Sequence, residues 1–293
     1  MDATLKALLL SLLVAPFWML FEYLILTGVG KCIHGKEGSE APKKMASAMT
    51  TACSHFVQLV MWWVVVLKGG LTRWAFDIGN WAPIMLPRPW DITEREILVP
   101  FFTIYFGFAW HSLIKDLRRN WPPKSPDQFS FLLHHLLTIG LVAGCFKVGA
   151  WRAGVLTRLI HDPADIFLYS SKFYQGLYDQ GRGRLSIITF LYILNNVVWG
   201  GTRVLLYGFF SCFVLTKLCI MIVNAEYDLV TTIVCVALYV ASLLMWLLQV
   251  IWLWHLIKAT RKFLRSKGKD THDHLDVGQL DADKGKPLVN HMH

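Results

Sequence analysis

Long runs of apolar residues alternate along this chain with short polar and basic segments. Seven runs reach roughly 20 residues, the length that an α-helix needs to cross a hydrocarbon core of about 30 Å. The predicted spans cover residues 7–29, 49–68, 97–115, 129–147, 151–171, 186–210 and 229–257. The pattern therefore predicts an all-α integral membrane protein with about seven transmembrane helices.

The composition agrees with this prediction. Hydrophobic residues make up 55% of the 293 residues, and the mean hydropathy of +0.44 is high for a soluble domain. The first apolar run contains Glu22 and lacks the basic start and small-residue cleavage site of a signal peptide. We interpret it as a retained first helix.

The net charge of +9 does not indicate a nucleic-acid partner. The basic residues lie in short loops and in the tail, where they are typical of contacts with anionic lipid headgroups. One side of the predicted topology holds 19 of the 29 Lys and Arg residues, and the other holds eight. The positive-inside rule then places the N-terminus in the lumen and the C-terminus in the cytosol.

The same pattern divides the chain into three parts. Residues 1–48 hold the first transmembrane helix and a cytosolic loop, residues 49–265 hold six further helices, and residues 266–293 form a polar tail. The tail is rich in Asp and Lys, so we expect it to be disordered in the cytosol.

The six cysteines show neither zinc-finger spacing nor a CxxC pair, and most lie inside apolar runs. We expect them to be small buried hydrophobic residues. A Cys212–Cys219 disulfide requires that their loop faces an oxidising lumen.

Several ionisable residues lie inside the predicted spans, where a charge costs a few kcal/mol to insert and usually serves a function. Span four carries a histidine pair and span five carries a denser group: His134, His135, Arg158, His161, Asp162 and Asp165. In a helix, His161 and Asp165 share one face, as do Arg158 and Asp162. The spacing predicts one polar site.

Span five also contains a possible helix start. Asp162, Pro163 and Asp165 match the N-cap, first-turn proline and acidic third position of a helix, which predicts a break or kink near Pro163. The loop between spans four and five is short, so these helices should be antiparallel neighbours. His134 and His135 should then face the acidic residues.

A carboxylate beside an imidazole fixes its tautomer and raises its basicity, which suits a general base or a nucleophile. One alternative is a structural polar network that pins two helices together. Another is a lone zinc site formed by His134, His161 and Asp165. The histidine boxes of di-iron membrane hydroxylases are absent from the sequence, and we predict no metal.

Other polar residues give weaker signals. Arg203 is a cation within span six, which we expect to pair with a site carboxylate, to meet a phosphate or to form a purely structural ion pair. His111 and His255 lie near span ends and are predicted to be interfacial.

Residues from about 101 to 265 resemble the TLC-domain family, and specifically its ceramide synthases. The resemblance rests on F-L-L-H-H-L-L-T-I-G-L-V and on R-A-G-V-L-T-R-L-I-H-D-P-A-D-I-F-L-Y-S-S-K, which is similar to the Lag1 motif. The flanking spans follow in the family's order. Two positions depart from the family pattern: Ala164 stands where Ser is common, and Tyr169 where an acidic residue is common.

The resemblance implies six helices bundled around a central cavity, in a multi-pass enzyme of the endoplasmic reticulum. Such an enzyme joins the acyl group of a fatty acyl-CoA to the amine of a sphingoid base, with acyl-CoA as co-substrate, no other cofactor, and a homodimer or heterodimer as a further expectation. The implied catalytic residues are His134, His135, His161, Asp162 and Asp165.

We expect the phosphates of CoA to remain at the cytosolic mouth of the bundle, because basic side chains favour them. The substrate-binding candidates are the four mouth residues and the two intramembrane arginines: Arg118, Arg119, Arg182, Arg184, Arg158 and Arg203.

Two other functions remain open from sequence. A non-enzymatic TLC protein would bind lipid or assist membrane proteins, although such relatives often lack the complete His and Asp set. A transporter would use the same residues as a proton relay, but no inverted repeat is recognisable.

Overall fold

The computed structural model describes residues 3–32, 41–68, 81–87, 92–123, 125–225 and 227–266. Within these ranges the chain is helical and contains no strand. The helices are α1 (Ala3–Cys32), α2 (Ala41–Lys68), α3 (Trp81–Ile84), α4 (Ile92–Asn120), α5 (Pro126–Lys147), α6 (Trp151–Asp179), α7 (Leu185–Val223) and α8 (Leu229–Arg265). The prediction of an all-α membrane protein is confirmed.

Four of the described helices are long and apolar enough to cross a membrane by themselves: the segments Lys44–Leu67, Gln128–Lys147, Leu185–Val223 and Leu229–Arg265. Helix α1 adds a shorter apolar stretch, Leu9–Ile25. Helices α4 and α6 have 29 residues each, but they carry the charged residues of the candidate site. Their lower hydropathy comes from the polar side chains that they contribute to the interior of the bundle.

Helix packing forms a closed ring. In order around it, α2 contacts α4, α4 contacts α5, α5 contacts α8, α8 contacts α7, α7 contacts α6, and α6 returns to α2. Helix α1 packs on the outside, mainly along α4 and partly along α2. Helix α6 also contacts α5, as the short loop between them predicts.

Local sequence explains where the helices begin and turn. Ser125 caps α5 by accepting a hydrogen bond from the Gln128 backbone N–H at 3.3 Å, and Pro126 follows in the first turn. Asp228 caps α8 in the same way, and its hydrogen bonds from Thr231 hold the pKa of this carboxyl below its usual value. Gly149, with φ of 76°, supplies the left-handed turn between α5 and α6.

Two predicted boundaries are wrong. Helix α6 runs unbroken through Pro163 and begins at Trp151, so Asp162 does not cap a helix. The helix persists because Ile160 and Ala164 on either side are buried against neighbouring helices.

Helix α7 continues to Val223, well beyond the predicted end at residue 210, and includes π-helical segments at Gly200–Leu206 and Phe210–Val214. Its extension buries an apolar face at Phe210, Val214, Leu218 and Ile222. Cys212 and Cys219 therefore lie on a helix, and both are free thiols. Of the predicted tail, residues 266–293, all but residue 266 lie outside the described residues.

Candidate active site

Two ion pairs occupy the interior between α6 and its neighbours. Arg158 and Asp162, one helical turn apart on α6, form the pair that their spacing predicts. Arg203 on α7 pairs with Asp165. Arg203 and Asp162 are 1% and 0% exposed, so each charge depends on its partner for compensation.

Arg203 is held by several protein groups besides Asp165. Its Nη2 atom donates to the backbone carbonyl of His161 at 2.9 Å, and Nη1 donates to Oε1 of Gln249 at 3.2 Å. The guanidinium carbon lies 4.1 Å from the centre of the Trp199 ring. These contacts place Arg203 as a residue that positions α6.

A fifth ionisable group, from α2, joins this cluster, and the sequence did not point to it. Nδ1 of His55 lies 3.1 Å from Oδ1 of Asp162 and 3.7 Å from Oδ2 of Asp165. The His55 ring also lies parallel to Tyr169, with 6.1 Å between ring centres. The only sequence signal was one histidine inside an apolar span, and its partners lie more than 100 residues away.

His55, Asp162 and Asp165 each offer a ligand atom, and these atoms lie within 4.8 Å of one another. The donor types suit a divalent cation. However, the two aspartates already balance Arg158 and Arg203, so an added cation would leave about two uncompensated positive charges in the interior. Charge balance disfavours a metal here.

His161 presents a reactive nitrogen. Its Nδ1–H donates to the backbone carbonyl of Thr157 at 2.7 Å, which fixes the tautomer and leaves the lone pair on Nε2. Nε2 is buried and has no hydrogen-bond partner among the described residues. The Tyr207 ring packs edge-on against the imidazole at 4.3 Å. An available lone pair in a buried site suits a base or a nucleophile.

The two histidines of α5 point to different partners. Nδ1 of His134 lies 3.0 Å from the sulfur of Met245, and its ring packs 5.0 Å from that of Trp252 on α8. Nε2 of His135 lies 2.6 Å from Oδ2 of Asp116 on α4. Among the described hydrogen bonds and ion pairs, none joins either histidine directly to Asp162 or Asp165.

His134 nevertheless belongs to the same polar region as the α6 residues. The Met245 sulfur beside Nδ1 of His134 also accepts from Nε2 of Gln249 at 3.6 Å, and Gln249 accepts in turn from Arg203. The predicted site is therefore one region with two parts, the α6 cluster and the histidine pair.

The remaining predicted residues lie elsewhere. Arg118, Arg182 and Arg184 are exposed at the end of the bundle where α4 and α6 finish, and the side chain of Arg119 is outside the described set. His111, predicted to be interfacial, is 7% exposed and lies 2.9 Å from Oε2 of Glu22. His255 is partly buried.

An apolar cavity of about 50 Å³ lies between α5, α6, α7 and α8, and two neighbours of His161 line it. Thr157 and Tyr207 line the end next to this histidine, and Ser242 also contributes. Elsewhere the walls are almost entirely apolar, with Leu141, Cys145, Ala153, Gly154, Leu218 and Leu238 among the lining residues.

The helix rise gives the order of these features across the bundle. At about 1.5 Å per residue, His135 lies roughly 14 Å from the start of α5 and Asp165 roughly 21 Å from the end of α6, both at the end of the bundle that carries the exposed arginines. The cavity is lined by residues beyond that depth, on α5 from Leu141 and on α7 from Tyr207. The exposed basic side chains, the polar cluster and the apolar cavity thus follow one another along the length of the bundle.

Comparisons with known proteins show what this chain is similar to. The family model described as "TLC domain" matches residues 17–258. Ceramide synthase hyl-1 of Caenorhabditis elegans is 25% identical over 159 residues, which are 53% of this chain and 39% of that protein.

Ceramide synthase 3 of Mus musculus is 28% identical over 108 residues, 34% of this chain and 24% of that protein. Ceramide synthase 3 of Homo sapiens is 23% identical over 151 residues, 50% of this chain and 36% of that protein. The matched region thus spans well under half of each relative. No solved structure gives a significant match to this chain.

Proposed function

Because this chain belongs to the TLC-domain family, we propose that it is a sphingoid-base N-acyltransferase of the ceramide synthase type. It would join the acyl group of a fatty acyl-CoA to the amine of a long-chain base. One observation carries the proposal: the unpartnered Nε2 of His161 lies next to a charge-balanced polar cluster, and Tyr207, which packs on this imidazole, lines an apolar cavity.

The cavity suits an alkyl chain. Its lining is nearly all apolar, and burying each methylene of a chain stabilises binding by about 0.8 kcal/mol. An acyl chain placed there would bring its carboxyl carbon towards Thr157 and Tyr207, beside His161. The CoA part would extend towards the basic end, where Arg118, Arg182 and Arg184 are exposed.

In the acyl-transfer step, the neutral amine attacks the thioester carbonyl, a C–N bond forms and the C–S bond breaks. Nε2 of His161 accepts the proton that the attacking nitrogen loses, and then gives it to the departing thiolate of CoA. Thr157 holds the imidazole in the tautomer that this requires. No oxidant, reductant or metal takes part in the step.

The other site residues then act mainly by position. Asp165 and Asp162 hold Arg203 and Arg158, and Arg203 in turn holds the backbone at His161. We therefore assign the two arginines to positioning, in place of the substrate contacts expected from sequence. His134 and His135 face the approach from the basic end.

The test is ceramide formation by membranes that contain the full chain, supplied with labelled acyl-CoA and sphinganine. His161→Gln should reduce the rate by about 100-fold or more, because general-base catalysis contributes at least that much. The matched control is His272→Gln, which removes a histidine from the C-terminal sequence beyond α8. Equal rates in His161→Gln and the control would remove His161 from the mechanism, and an inactive wild-type protein would refute the function.

We also propose that the protein resides in the endoplasmic reticulum membrane with its N-terminus luminal and its C-terminus cytosolic. The distribution of Lys and Arg supports this orientation. An N-glycosylation acceptor site fused to the N-terminus should be modified, whereas one fused to the C-terminus should not. Modification at the C-terminus alone would reverse the assignment.

A further inference from the structure

Asp116 and His135 form a pair outside the α6 cluster, close to the basic end of the bundle. Oδ2 of Asp116 lies 2.6 Å from Nε2 of His135, and the two side chains are 30% and 22% exposed. A ligand can therefore reach both groups. The more deeply buried Asp162 has a fully enclosed side chain.

The partner of Asp116 distinguishes it from the other interior carboxylates of the described residues. Asp162 pairs with Arg158, Asp165 with Arg203, and Glu22 with Lys115. Asp116 faces an imidazole, which is neutral in one of its two protonation states. When His135 is neutral, Asp116 carries a negative charge that an incoming cation can compensate.

A shallow cleft opens beside this pair. Asp116 is its carboxylate, Trp121 and Phe131 supply aromatic rings, and Gln128 adds an amide. Trp121 is 66% exposed, so one wall of the cleft is an accessible indole. A carboxylate beside aromatic faces is the chemistry that recognises an alkylammonium ion.

The cleft is connected to the histidine pair and to α8. The Phe131 ring stacks on Trp252, with 4.9 Å between ring centres, and His134 packs against the same indole. His135 is bonded to Asp116 itself. An amine held at Asp116 is therefore next to His135.

We propose that the cleft at Asp116 and His135 is the subsite that binds the ammonium head of the long-chain base before acyl transfer. The proposal rests on the acyltransferase function proposed above. Asp116 holds the cation, Trp121 covers it, and the alkyl chain lies along the apolar wall formed by Leu117, Phe131 and Leu132.

This subsite also explains how the amine becomes a nucleophile. A long-chain base arrives as R–NH₃⁺, whose nitrogen has no lone pair. One proton passes from this nitrogen to neutral His135, giving R–NH₂ and an imidazolium that remains paired with Asp116. The charge of the pair plus ligand is unchanged by the transfer. The neutral amine then moves from Asp116 to the acyl group beside His161, which takes the second proton as the C–N bond forms.

A binding measurement tests the subsite without turnover. The purified full chain in detergent micelles is titrated with sphinganine, which is cationic, and with N-acetylsphinganine, which is neutral and keeps the same chain. Wild-type protein should prefer sphinganine by about tenfold or more, the size expected for a hydrogen bond to a charged group. Asp116→Asn should abolish that preference, and Asp116→Glu should restore most of it.

Glu96→Gln is the matched control, since it removes one exposed carboxylate from the same helix far from the cleft. It should keep the wild-type preference. If Asp116→Asn elutes as a folded protein and still prefers sphinganine, the proposal is overturned. If it does not fold, Trp121→Ala decides, because this exposed indole covers the bound cation: a preference reduced twofold or more supports the subsite, and an unchanged preference overturns it.

The KM values for the two substrates distinguish a failure of the proposed subsite from a failure of the proposed acyltransferase function. Asp116→Asn should raise the KM for sphinganine by about tenfold while leaving the KM for acyl-CoA unchanged. Ceramide formation with an unaltered sphinganine KM would refute the subsite and keep the function. A wild-type protein that makes no ceramide but binds sphinganine through Asp116 would refute the acyltransferase function and keep the binding site.

Discussion

Arg203 on α7 and His161 on α6 are joined through the backbone, because the guanidinium donates to the His161 carbonyl from both Nη2, at 2.9 Å, and Nε, at 3.3 Å. The same arginine is paired with Asp165 one turn further along α6. A single buried cation thus fixes two points on the helix that carries the reactive imidazole. The ion pair positions the catalytic group.

This relationship predicts the effect of removing Arg203. Arg203→Met should lower the melting temperature in detergent, because it removes the arginine that balances Asp165, a loss of about 3–5 kcal/mol for such pairs. Asp165→Asn combined with Arg203→Met should melt higher than Arg203→Met alone, since the double change removes the orphaned charge. Additive losses in the double variant would show that the pair is not coupled.

The apolar cavity makes a second prediction, about acyl-chain length. Gly154 lines the cavity, and a Cβ added there would meet Cys145 at 3.4 Å, an ordinary contact distance. Gly154→Leu should therefore project its side chain into the space without breaking the helix packing. It should shift the products towards shorter acyl chains, as measured by mass spectrometry of ceramides formed from a mixture of acyl-CoAs.

Gly140→Leu provides the control for this shift. Gly140 is exposed on α5, and a Cβ at this position would contact nothing within 4 Å. Its product distribution should match that of the wild type. An unchanged distribution in Gly154→Leu as well would mean that the acyl chain lies elsewhere.

Much of the fold follows from local patterns in the sequence, whereas the partners of the site residues do not. Apolar length locates the long helices, and the short turn at Gly149 makes α5 and α6 neighbours. The i, i+4 spacing gives the Arg158–Asp162 pair. These features depend only on helix geometry and on residues close in the chain.

His55 and Asp116 were missed because their roles depend on packing between distant segments. His55 reaches Asp162 only because α2 lies along α6, a contact between residues 107 positions apart. The N-cap interpretation of Asp162 failed for a related reason, since burial around Pro163 outweighs the local preference for a break. Patterns close in the sequence predict the helices, whereas contacts between side chains on different helices are seen only in the folded ring.

A third prediction concerns His55 and its two acidic neighbours. Because the aspartates are already balanced by two arginines, the cluster should hold no functional metal. Dialysis against EDTA, followed by 1,10-phenanthroline, should leave both melting temperature and ceramide formation unchanged. A loss of either that zinc restores would contradict this charge argument.

The final prediction concerns the attachment of α1 to the ring. Glu22 on α1 bonds both Lys115 and His111 on α4, and Lys115 also donates to Oγ of Ser47 at 2.7 Å. Glu22→Gln removes the negative charge to which both Lys115 and His111 are bonded. It should destabilise the protein by about 1–3 kcal/mol, the usual effect of losing hydrogen bonds to a charged group.

A steric change at the same interface should act in the same direction. A Cβ on Gly107 would lie 2.7 Å from the Cβ of Val14, so Gly107→Leu forces α1 away from α4. Gly28→Leu is the matched control on α1, because a Cβ there would meet nothing within 4 Å. Melting curves in detergent should show losses for Glu22→Gln and Gly107→Leu and none for Gly28→Leu. If all three variants melt like the wild type, α1 contributes nothing to the stability of the ring, and the contacts of Glu22 are incidental.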